Sequence, residues 1–393
     1  MTLGKRFETS LDGIDLSFAN VPERERTKHV HRLHPYLGKF IPQLVEVFLK
    51  HYFKKGDWII DPFLGSGTTL IEANVLGINS VGIEISEFNC LIAKVKIKEY
   101  DIPLVEREIK DILYKTKEFS KWLSQGERQV TFLYNHFKKY KTDSEYLNTW
   151  FSDRALQEIL FYREQIKNYK NQDVLKIILS RSARSARLIP HYDLARPKKP
   201  VREKYYCIKH RRICEPINEA IKFINRYSWD TIRRIKDFSQ IRTNAIMKVI
   251  QGDSREIDFN KIAGYKGGKF DGIFTSPPYV GLIDYHDQHR YAYELFGFQD
   301  NGFKEIGPAF KGRSREAKEE YKKDIIKVFQ NMNRFLKPGA KIFVVVNDRD
   351  NLYPEIANAC GYNIIKVYHR PVLMRTERDN TKFSESIYYF IKK

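Results

Sequence analysis

The stretch from residue 41 to residue 86 alternates between helical and strand patterns, and this alternation constrains the fold more than any other feature. Apolar residues recur at helical spacing in "IPQLVEVFLKHYF" (41–53). A short buried strand at 58–60 and a glycine-rich loop follow, and then a helix that stops at Gly77. A second strand, within "NSVGIEIS", ends at Glu84. The order helix, strand, glycine loop, helix, strand predicts half of a doubly wound α/β sheet.

Strand patterns return in the last third of the chain. They occur in "MKVIQGD" (247–253), in "KFDGIFTSPPY" (269–279) and, after a helix and the turn "KPGA", in "KIFVVVND" (341–348). The segments "IIKVYHRPVLM" and "SESIYYFIKK" predict a closing antiparallel hairpin. We therefore expect a Rossmann-like sheet that is mostly parallel and has an antiparallel C-terminal hairpin.

A long helical and basic stretch separates the two strand-rich parts. Residues 101–250 hold 32 Lys and Arg against 18 Asp and Glu. The densest part, 181–212, has interleaved tyrosines, and its prolines make the middle a loop. We predict an α/β domain of 1–100 and 247–393, interrupted between its second and third strands by a helical basic insertion at 101–246.

The formal net charge of +20 points to a polyanionic partner, and nucleic acid comes first. A membrane surface is the competing interpretation, although no apolar run reaches the length of a transmembrane span. In the insertion, basic side chains suit phosphate contacts, while a solvated basic face is the alternative. The candidates for DNA contact there are Arg181, Arg184, Arg187, Arg196, Lys198, Lys199 and Arg202.

The four cysteines are sparse and scattered, which favours a reducing cytoplasm over a disulfide framework. Cys207, His210 and Cys214 lie close together but with non-standard spacing and no evident fourth ligand. We therefore predict ordinary packing and no metal there, with a zinc site as the alternative.

The loop "DPFLGSGTT" is not a P-loop, because no Gly-Lys-Ser/Thr follows. It does place the "GSG" of 65–67 between a strand and a helix N-terminus, where the backbone can approach a ligand closely. Thr68 and Thr69 add hydroxyl donors, and an acid at Glu84 can accept from ribose hydroxyls. Asp253 ends the third strand and can accept from an adenine amino group. A tight turn, a surface glutamate and a helix cap are the plainer interpretations.

The segment "TSPPY" (275–279) ends a strand in a rigid corner, since neither proline has an N–H donor. Ser276 Oγ and the Pro277 carbonyl can each accept one hydrogen of an exocyclic base amine. Accepting both frees the nitrogen lone pair for attack, and the proline rings hold the acceptors in place. Tyr279 can stack on a base that has left the duplex. The plainer interpretation is a Pro-Pro turn in a loop.

Together these motifs resemble the S-adenosylmethionine-dependent amino-methyltransferases that methylate cytosine N4 or adenine N6 in DNA. The similarity is carried by Ser276-Pro277-Pro278-Tyr279, by "FLGSGT" at 63–68, and by the segments 34–44, 252–256 and 283–290. It spans roughly 20–95 and 247–393, with the cofactor motifs before the catalytic corner. The α/β domain would then be the catalytic domain and the insertion the target-recognition region.

The resemblance also implies a cofactor pocket for S-adenosylmethionine. Thr68, Thr69 and Lys39 would lie near the methionine carboxylate, Glu84 would hold the ribose, and Ile85 would lie against the adenine. The full set of implied cofactor residues is Lys39, Asp61, Phe63, Gly65, Ser66, Gly67, Thr68, Thr69, Glu84, Ile85, Asp253 and Thr275. The implied catalytic residues are Ser276, Pro277, Pro278 and Tyr279.

The corner predicts direct methyl transfer with no covalent enzyme intermediate. Carbon-5 methylation of cytosine is excluded, because it needs a cysteine nucleophile that usually follows proline, and no cysteine here does. Adenine enzymes of this kind more often carry Asp or Asn at the position of Ser276, so serine favours cytosine N4. Adenine N6 methylation, RNA base methylation and a non-catalytic nucleic-acid-binding protein are the alternatives.

The loop at 280–300 follows the corner and is basic and aromatic. His286, His289, Arg290 and Tyr291 are candidates to touch a flipped base or to fill the gap that it leaves, with Asp284 and Tyr285 shaping the pocket. The expected setting is a prokaryotic cytoplasm, with double-stranded DNA as partner and a cognate restriction endonuclease as a second one.

Overall fold

A seven-stranded sheet forms the centre of the structure, a computed structural model that describes residues 11, 13–36, 38, 40–125, 137–193, 198–262, 268–372 and 383–393. The strands are β1 (Trp58–Asp61), β2 (Asn79–Glu84), β3 (Tyr205–Cys207), β4 (Arg212–Cys214), β5 (Met247–Gln251), β6 (Phe270–Thr275), β7 (Leu336–Val346), β8 (Tyr362–Val372) and β9 (Phe383–Lys392).

Helices cover both faces of this sheet and make up the insertion. They are α1 (Glu23–Arg26), α2 (Pro42–Tyr52), α3 (Thr68–Val75), α4 (Glu87–Ile97), α5 (Ile102–Gln125), α6 (Glu145–Trp150), α7 (Asp153–Gln165), α8 (Gln172–Ala186), α9 (Ile221–Ile241), α10 (Tyr285–Gln288), α11 (Arg290–Phe296), α12 (Arg315–Asn333) and α13 (Tyr353–Ala359). No helix among the described residues is long and apolar enough to cross a bilayer.

The strand order is β5-β2-β1-β6-β7-β9-β8. The first five strands in that order run parallel, and β9 is antiparallel to both β7 and β8. Ile60 in β1 pairs with Val81 on one side and with Ile273 on the other, and all three are buried because helices cover both faces. The predicted Rossmann-like sheet with an antiparallel C-terminal hairpin is confirmed.

The predicted turn "KPGA" is wrong as a boundary, because β7 begins at Leu336 and runs through it. The pairing with β6 shifts register between Phe270 and Gly272, and Gly339 has a φ of +72°. The "KPGA" residues therefore belong to an irregular, bulged start of β7 and do not form a separate turn.

The insertion consists of α5 to α9 and the small hairpin of β3 and β4. Its helices share one hydrophobic core with the α/β domain, since Ile109, Leu160 and Ile178 cluster with Phe88 of α4 and Tyr291 of α11. This shared core packs the insertion against the same side of the sheet as α4.

Parallel strands place their carboxyl ends at one edge of the sheet. The glycine loop follows β1, Glu84 ends β2, and the "TSPPY" corner begins with the last residue of β6. Ligands of open α/β sheets bind at this edge, so the fold brings the predicted motifs to one place.

Candidate functional site

A cavity opens at the carboxyl edge of the sheet, where ligands of open α/β sheets bind. It lies between the glycine loop, the ends of β2 and β5, and the corner after β6. Seven of the residues predicted to bind a cofactor line it: Phe63, Gly65, Ser66, Thr68, Glu84, Ile85 and Asp253.

The glycine loop is built for close approach of a ligand. Gly65 has a φ of +51°, and a Cβ there would lie 2.9 Å from the Oη of Tyr36. Lys96 is buried beneath the loop, where its Nζ donates to the Ser66 carbonyl at 2.6 Å. Lys96 therefore anchors the loop on its buried side. On the other side the Tyr36 ring lies so close that only glycine fits at position 65.

The Glu84 carboxylate faces the cavity from the end of β2. Its Oε2 accepts the Gly65 N–H at 2.8 Å, and its Oε1 accepts the Ser86 N–H at 2.9 Å. Burial raises the pKa of Glu84 to about 7 despite these two hydrogen bonds. A carboxylate acceptor, apolar walls from Phe63 and Ile85, and the open cradle at Gly65 together fit an adenosine-containing cofactor.

Asp253 lies two residues beyond the end of β5 and begins a turn, so the helix-cap interpretation is wrong. Its carboxylate accepts from the Arg255 guanidinium, with an Oδ2 to Nη2 distance of 2.6 Å. Arg255 also donates to Asp324 at 3.0 Å, and these two carboxylates raise the pKa of the guanidinium. Asp253 is thus held rigidly at the cavity wall.

Four other predicted cofactor residues lie behind the wall instead of on it. Asp61 is buried and accepts from Thr69 Oγ1 at 2.7 Å and from Thr275 Oγ1 at 2.6 Å. Gly67 is the N-cap of α3 with a φ of +82°. These residues support the pocket, because their polar groups are used internally. Lys39 lies outside the described residues.

The corner after β6 lies between two cavities. Ser276 and Pro278 line the first cavity, whereas Tyr279 lines a second one. The Pro278 carbonyl accepts from Tyr321 Oη at 2.9 Å, and Tyr279 Oη donates to Glu385 of β9 at 2.8 Å. Hydrogen bonds therefore hold the corner on both sides, while Pro277 itself is buried.

The second cavity is polar at its far end. Asn347, Asp348 and Asp350 follow β7 there, and Arg313 and Tyr353 complete the wall. Asp348 accepts the N–H of Tyr353 at 3.0 Å and so caps the first turn of α13. This cavity presents both donors and acceptors, and Tyr279 in its wall lies three residues after Ser276 in the chain.

The loop at 280–300 contributes differently from the prediction. His289 is 1% exposed, and His286 is buried against Glu305, so neither histidine faces solvent. Tyr291 is also buried, since it packs in the shared core. Tyr285 does shape the first cavity, where its ring stacks on Tyr36 at 5.7 Å.

Two of the predicted DNA-contacting arginines are buried, which corrects the prediction for them. Arg181 is 5% exposed and pairs with Asp230 at 2.7 Å, and Arg187 is 4% exposed and lies over the Tyr291 ring. Helix α8 turns these side chains toward α9 and α11, so their charge is used in packing. Burial likewise excludes a surface role for His289 in this conformation.

The remaining basic residues predicted to contact DNA differ in how exposed their side chains are. Lys198, Lys199, Arg202 and Arg290 are exposed, and Arg184 is partly buried. Arg202 donates to the Thr149 carbonyl at 3.0 Å, which holds its backbone near α6. Arg196 lies outside the described residues.

Several site residues had no assigned role in the sequence. Tyr36 lies in the "HPYLGKF" segment and Asn89 on α4, and both line the first cavity. Lys96 donates to the glycine loop, and Glu305 forms a hydrogen bond with His286. Both residues lie at a distance in the chain from the groups that they contact. Only Tyr36 carried a sequence signal, because it falls within a segment that already resembled the family.

Comparison with known proteins gives consistent results. Residues 7–95 match a family model described as DNA methylase. The Type II methyltransferase M.MjaII of Methanocaldococcus jannaschii is 45% identical, over 95% of this chain and 82% of that protein. The Type II methyltransferase M.BsoBI of Geobacillus stearothermophilus is 25% identical, over 73% of this chain and 56% of that protein. A methyltransferase structure from Pyrococcus furiosus covers 91% of this chain and 88% of its own, with a TM-score of 0.32 and 11% identity.

Replacement of Glu84 by Gln should stabilise the ligand-free protein increasingly as pH rises. In the folded protein the pKa of Glu84 is about 7, which is above the ordinary value of 4.5. Protonated Glu84 therefore stabilises the folded state below pH 4.5, and this stabilisation is lost as the pH rises through 7. The variant should therefore gain up to about 3 kcal/mol relative to wild type between pH 4.5 and pH 8. Denaturant midpoints at several pH values measure this difference.

The matched control is Glu99→Gln, because the Glu99 side chain is 84% exposed. Its stability difference from wild type should not vary with pH. A flat difference for Glu84→Gln would contradict the buried carboxylate.

Proposed function

Because the chain belongs to the S-adenosylmethionine-dependent DNA amino-methyltransferases, we propose that it methylates the N4 amine of a flipped cytosine in double-stranded DNA. S-adenosylmethionine is the methyl donor, and it supplies an electrophilic methyl group on a sulfonium sulfur. The observation that carries the proposal is the position of the "TSPPY" corner between two adjoining cavities.

The first cavity is the proposed cofactor site. Glu84 would accept from the ribose hydroxyls, and Ile85 and Phe63 would enclose the adenine ring. Asp253 would accept from the adenine amino group, since Arg255 holds that carboxylate at the cavity wall. The methionine end would lie by the helix N-terminus at Thr68, where free N–H groups favour a carboxylate.

The second cavity is the proposed site of the flipped base. Tyr279 lines it, and the hydrogen bond to Glu385 holds the phenol ring in one orientation for stacking. Asn347 and Asp348 lie at its polar end, where they suit the hydrogen-bonding edge of a pyrimidine. A base seated there would present its exocyclic amine to the corner.

At the corner the protein would act through acceptors. Ser276 Oγ and the Pro277 carbonyl would each accept one amine hydrogen, which raises the electron density available on nitrogen. Bound S-adenosylmethionine would supply the methyl group: its methyl carbon–sulfur bond would break as the N–C bond forms, leaving a neutral thioether, and the surplus amine proton would pass to solvent water. The bond from Tyr321 to the Pro278 carbonyl keeps the acceptors preorganised.

Cytosine is preferred over adenine because residue 276 is a serine. Amino-methyltransferases that act on adenine more often carry Asp or Asn at this position. Adenine N6 remains the second candidate. Methylation of an RNA base and non-catalytic binding are the remaining alternatives, which a product assay separates directly.

The proposed DNA interface is the exposed basic surface after α8. Lys198, Lys199 and Arg202 are exposed there, and Arg290 is exposed at the start of α11. Their charges would contact phosphates and give affinity, whereas base edges would be read by neighbouring side chains. We place the enzyme in a prokaryotic cytoplasm, in a restriction-modification system with a cognate endonuclease.

Identification of the methylated nucleoside tests the proposal most directly. Plasmid DNA incubated with the protein and labelled S-adenosylmethionine should yield labelled N4-methylcytosine after digestion and mass spectrometry. N6-methyladenine would contradict the base assignment. Label in RNA alone would contradict the DNA substrate, and transfer to neither polymer would support a non-catalytic protein.

Replacement of Ser276 by Ala should slow methyl transfer by about 10²–10³-fold, the cost of removing one preorganised group at a reacting centre. Affinity for S-adenosylmethionine should stay within about twofold, because the hydroxyl faces the amine in the proposed arrangement. Single-turnover rates and calorimetry give the two quantities.

A Ser276→Asn variant is the matched control, since it keeps an acceptor oxygen. It should retain more activity than Ser276→Ala. Equal loss of turnover and cofactor affinity in Ser276→Ala would instead indicate a structural role for the side chain.

Replacement of Lys198 and Lys199 by Ala should reduce the salt dependence of DNA binding. Each phosphate contact contributes about 0.9 to the slope of log affinity against log salt. The slope for the double variant should therefore be smaller in magnitude by about 1.8. Fluorescence anisotropy at several salt concentrations measures the slope. The control is Lys269→Ala with Lys337→Ala, which removes the same charge at the starts of β6 and β7, on the opposite edge of the sheet. Equal slopes for the two double variants would contradict the proposed interface.

A further inference from the structure

Four side chains of metal-binding type meet beside the β3–β4 hairpin. His191 comes from the segment after α8, Cys207 from β3, His210 from the turn and Cys214 from β4. One ligand atom from each residue lies within 4.8 Å of the others. The sequence showed only three of these residues as a group, and the fold adds His191 as the fourth.

The distances match those of tetrahedral zinc. His210 Nδ1 lies 3.6 Å from Cys207 Sγ and 3.5 Å from Cys214 Sγ. Zinc binds sulfur at about 2.3 Å and imidazole nitrogen at about 2.0–2.1 Å, which places S and N about 3.6 Å apart at a tetrahedral angle. These two S–N distances are therefore already those of two edges of a coordination tetrahedron.

Ordinary hydrogen bonding does not account for this arrangement. An imidazole nitrogen is either one donor or one acceptor, so a single well-directed hydrogen bond joins Nδ1 of His210 to one sulfur and not to both. Both cysteines are free thiols with side chains buried in the hairpin, and Cys207 is 0% exposed. A single cation would satisfy both sulfurs and the nitrogen together.

We propose that His191, Cys207, His210 and Cys214 bind one structural Zn²⁺ ion. Four protein ligands close the coordination sphere, which is typical of structural sites and leaves no open position for catalysis. Tyr205 Oη lies 3.0 Å from His191 Nδ1 and accepts the His191 backbone N–H at 3.0 Å. With Nδ1–H donating to this phenol, Nε2 presents its lone pair to the metal, as an outer partner does in other histidine sites.

The small size of the β3–β4 hairpin indicates that the ion would stabilise it. Its strands have three residues each, and Tyr206, Ile208 and Ile213 are 59–61% exposed, so the hairpin buries little apolar surface of its own. A two-stranded ribbon of this size is at best marginally stable in water. Zinc would tie it to the segment after α8, which also carries the exposed Lys198 and Lys199.

Metal content tests the proposal without reference to DNA. The full chain, purified without an affinity tag and under a reductant, should retain about one zinc ion after dialysis, by mass spectrometry of the element. Cobalt replacement should give the visible d–d bands and thiolate charge-transfer band of tetrahedral S₂N₂ coordination. Cys207→Ser with Cys214→Ser should abolish both signals. Cys360→Ser is the matched control, because Cys360 is buried at the end of α13 and should leave both signals unchanged.

Wild type that binds neither zinc nor cobalt would overturn the proposal, as would full zinc retention in the double variant. A disulfide between Cys207 and Cys214, detected by mass spectrometry after purification under reductant, would also overturn it. Folding of the variants is checked by their affinity for S-adenosylmethionine, which depends on the distant cavity.

One consequence depends on the proposed DNA interface. Removal of the metal by a chelator should weaken DNA binding at least fivefold and leave cofactor affinity unchanged. If zinc is present but its removal leaves DNA affinity intact, the interface assignment fails while the metal site stands. If zinc is absent, the metal site fails whatever the DNA affinity.

Discussion

The buried carboxylate of Asp61 joins the elements that meet at the carboxyl edge of the sheet. It lies at the end of β1 and accepts from Thr69 at the start of α3, from Thr275 at the end of β6, and from the Phe63 N–H. Burial raises the pKa of Asp61 to about 6, so the three donors offset only part of the cost of removing the charge from water. This single group links the start of the helix after the glycine loop to the start of the "TSPPY" corner.

The C-terminal antiparallel strand completes the same site from the other side. Glu385 of β9 accepts from Tyr279 and pairs with Arg370 of β8 at 2.6 Å, and Tyr321 of α12 donates to the Pro278 carbonyl. The corner is therefore held by groups from the last third of the chain as well as by its own prolines. Preorganisation of this kind is what an amine acceptor site needs, because the acceptors cannot be reoriented at the moment of reaction without cost.

Part of the basic charge of the insertion is used inside the protein. Arg181 and Arg234 both pair with Asp230, and Arg234 also donates to the carbonyls of Thr27 and His29. Guanidinium groups suit such positions, since they can satisfy several acceptors at once. A count of charges therefore overstates the basic surface available to a polyanion, and Lys198, Lys199 and Arg202 after α8 are among the cations that stay exposed. The tyrosines interleaved with those cations contribute in part to the hairpin and its cluster of metal-binding side chains.

The sequence by itself determined the sheet, the glycine loop, the acid that ends β2 and the corner, because each is a local pattern of spacing, turn residues or missing donors. Only the tertiary structure decided which polar residues face the cavity and which support it. The sequence predicts cofactor contacts for Asp61, Thr69 and Thr275, but in the structure Asp61 accepts a hydrogen bond from each threonine. Some of the contacts in this network join residues more than 200 positions apart, so no local pattern could reveal them. Arg181 and His289 read as surface groups but are buried by helices distant in the chain. His191 joins two cysteines and a histidine across a proline-containing loop. Burial and long-range contact depend on how elements pack, and no local pattern of residues encodes that.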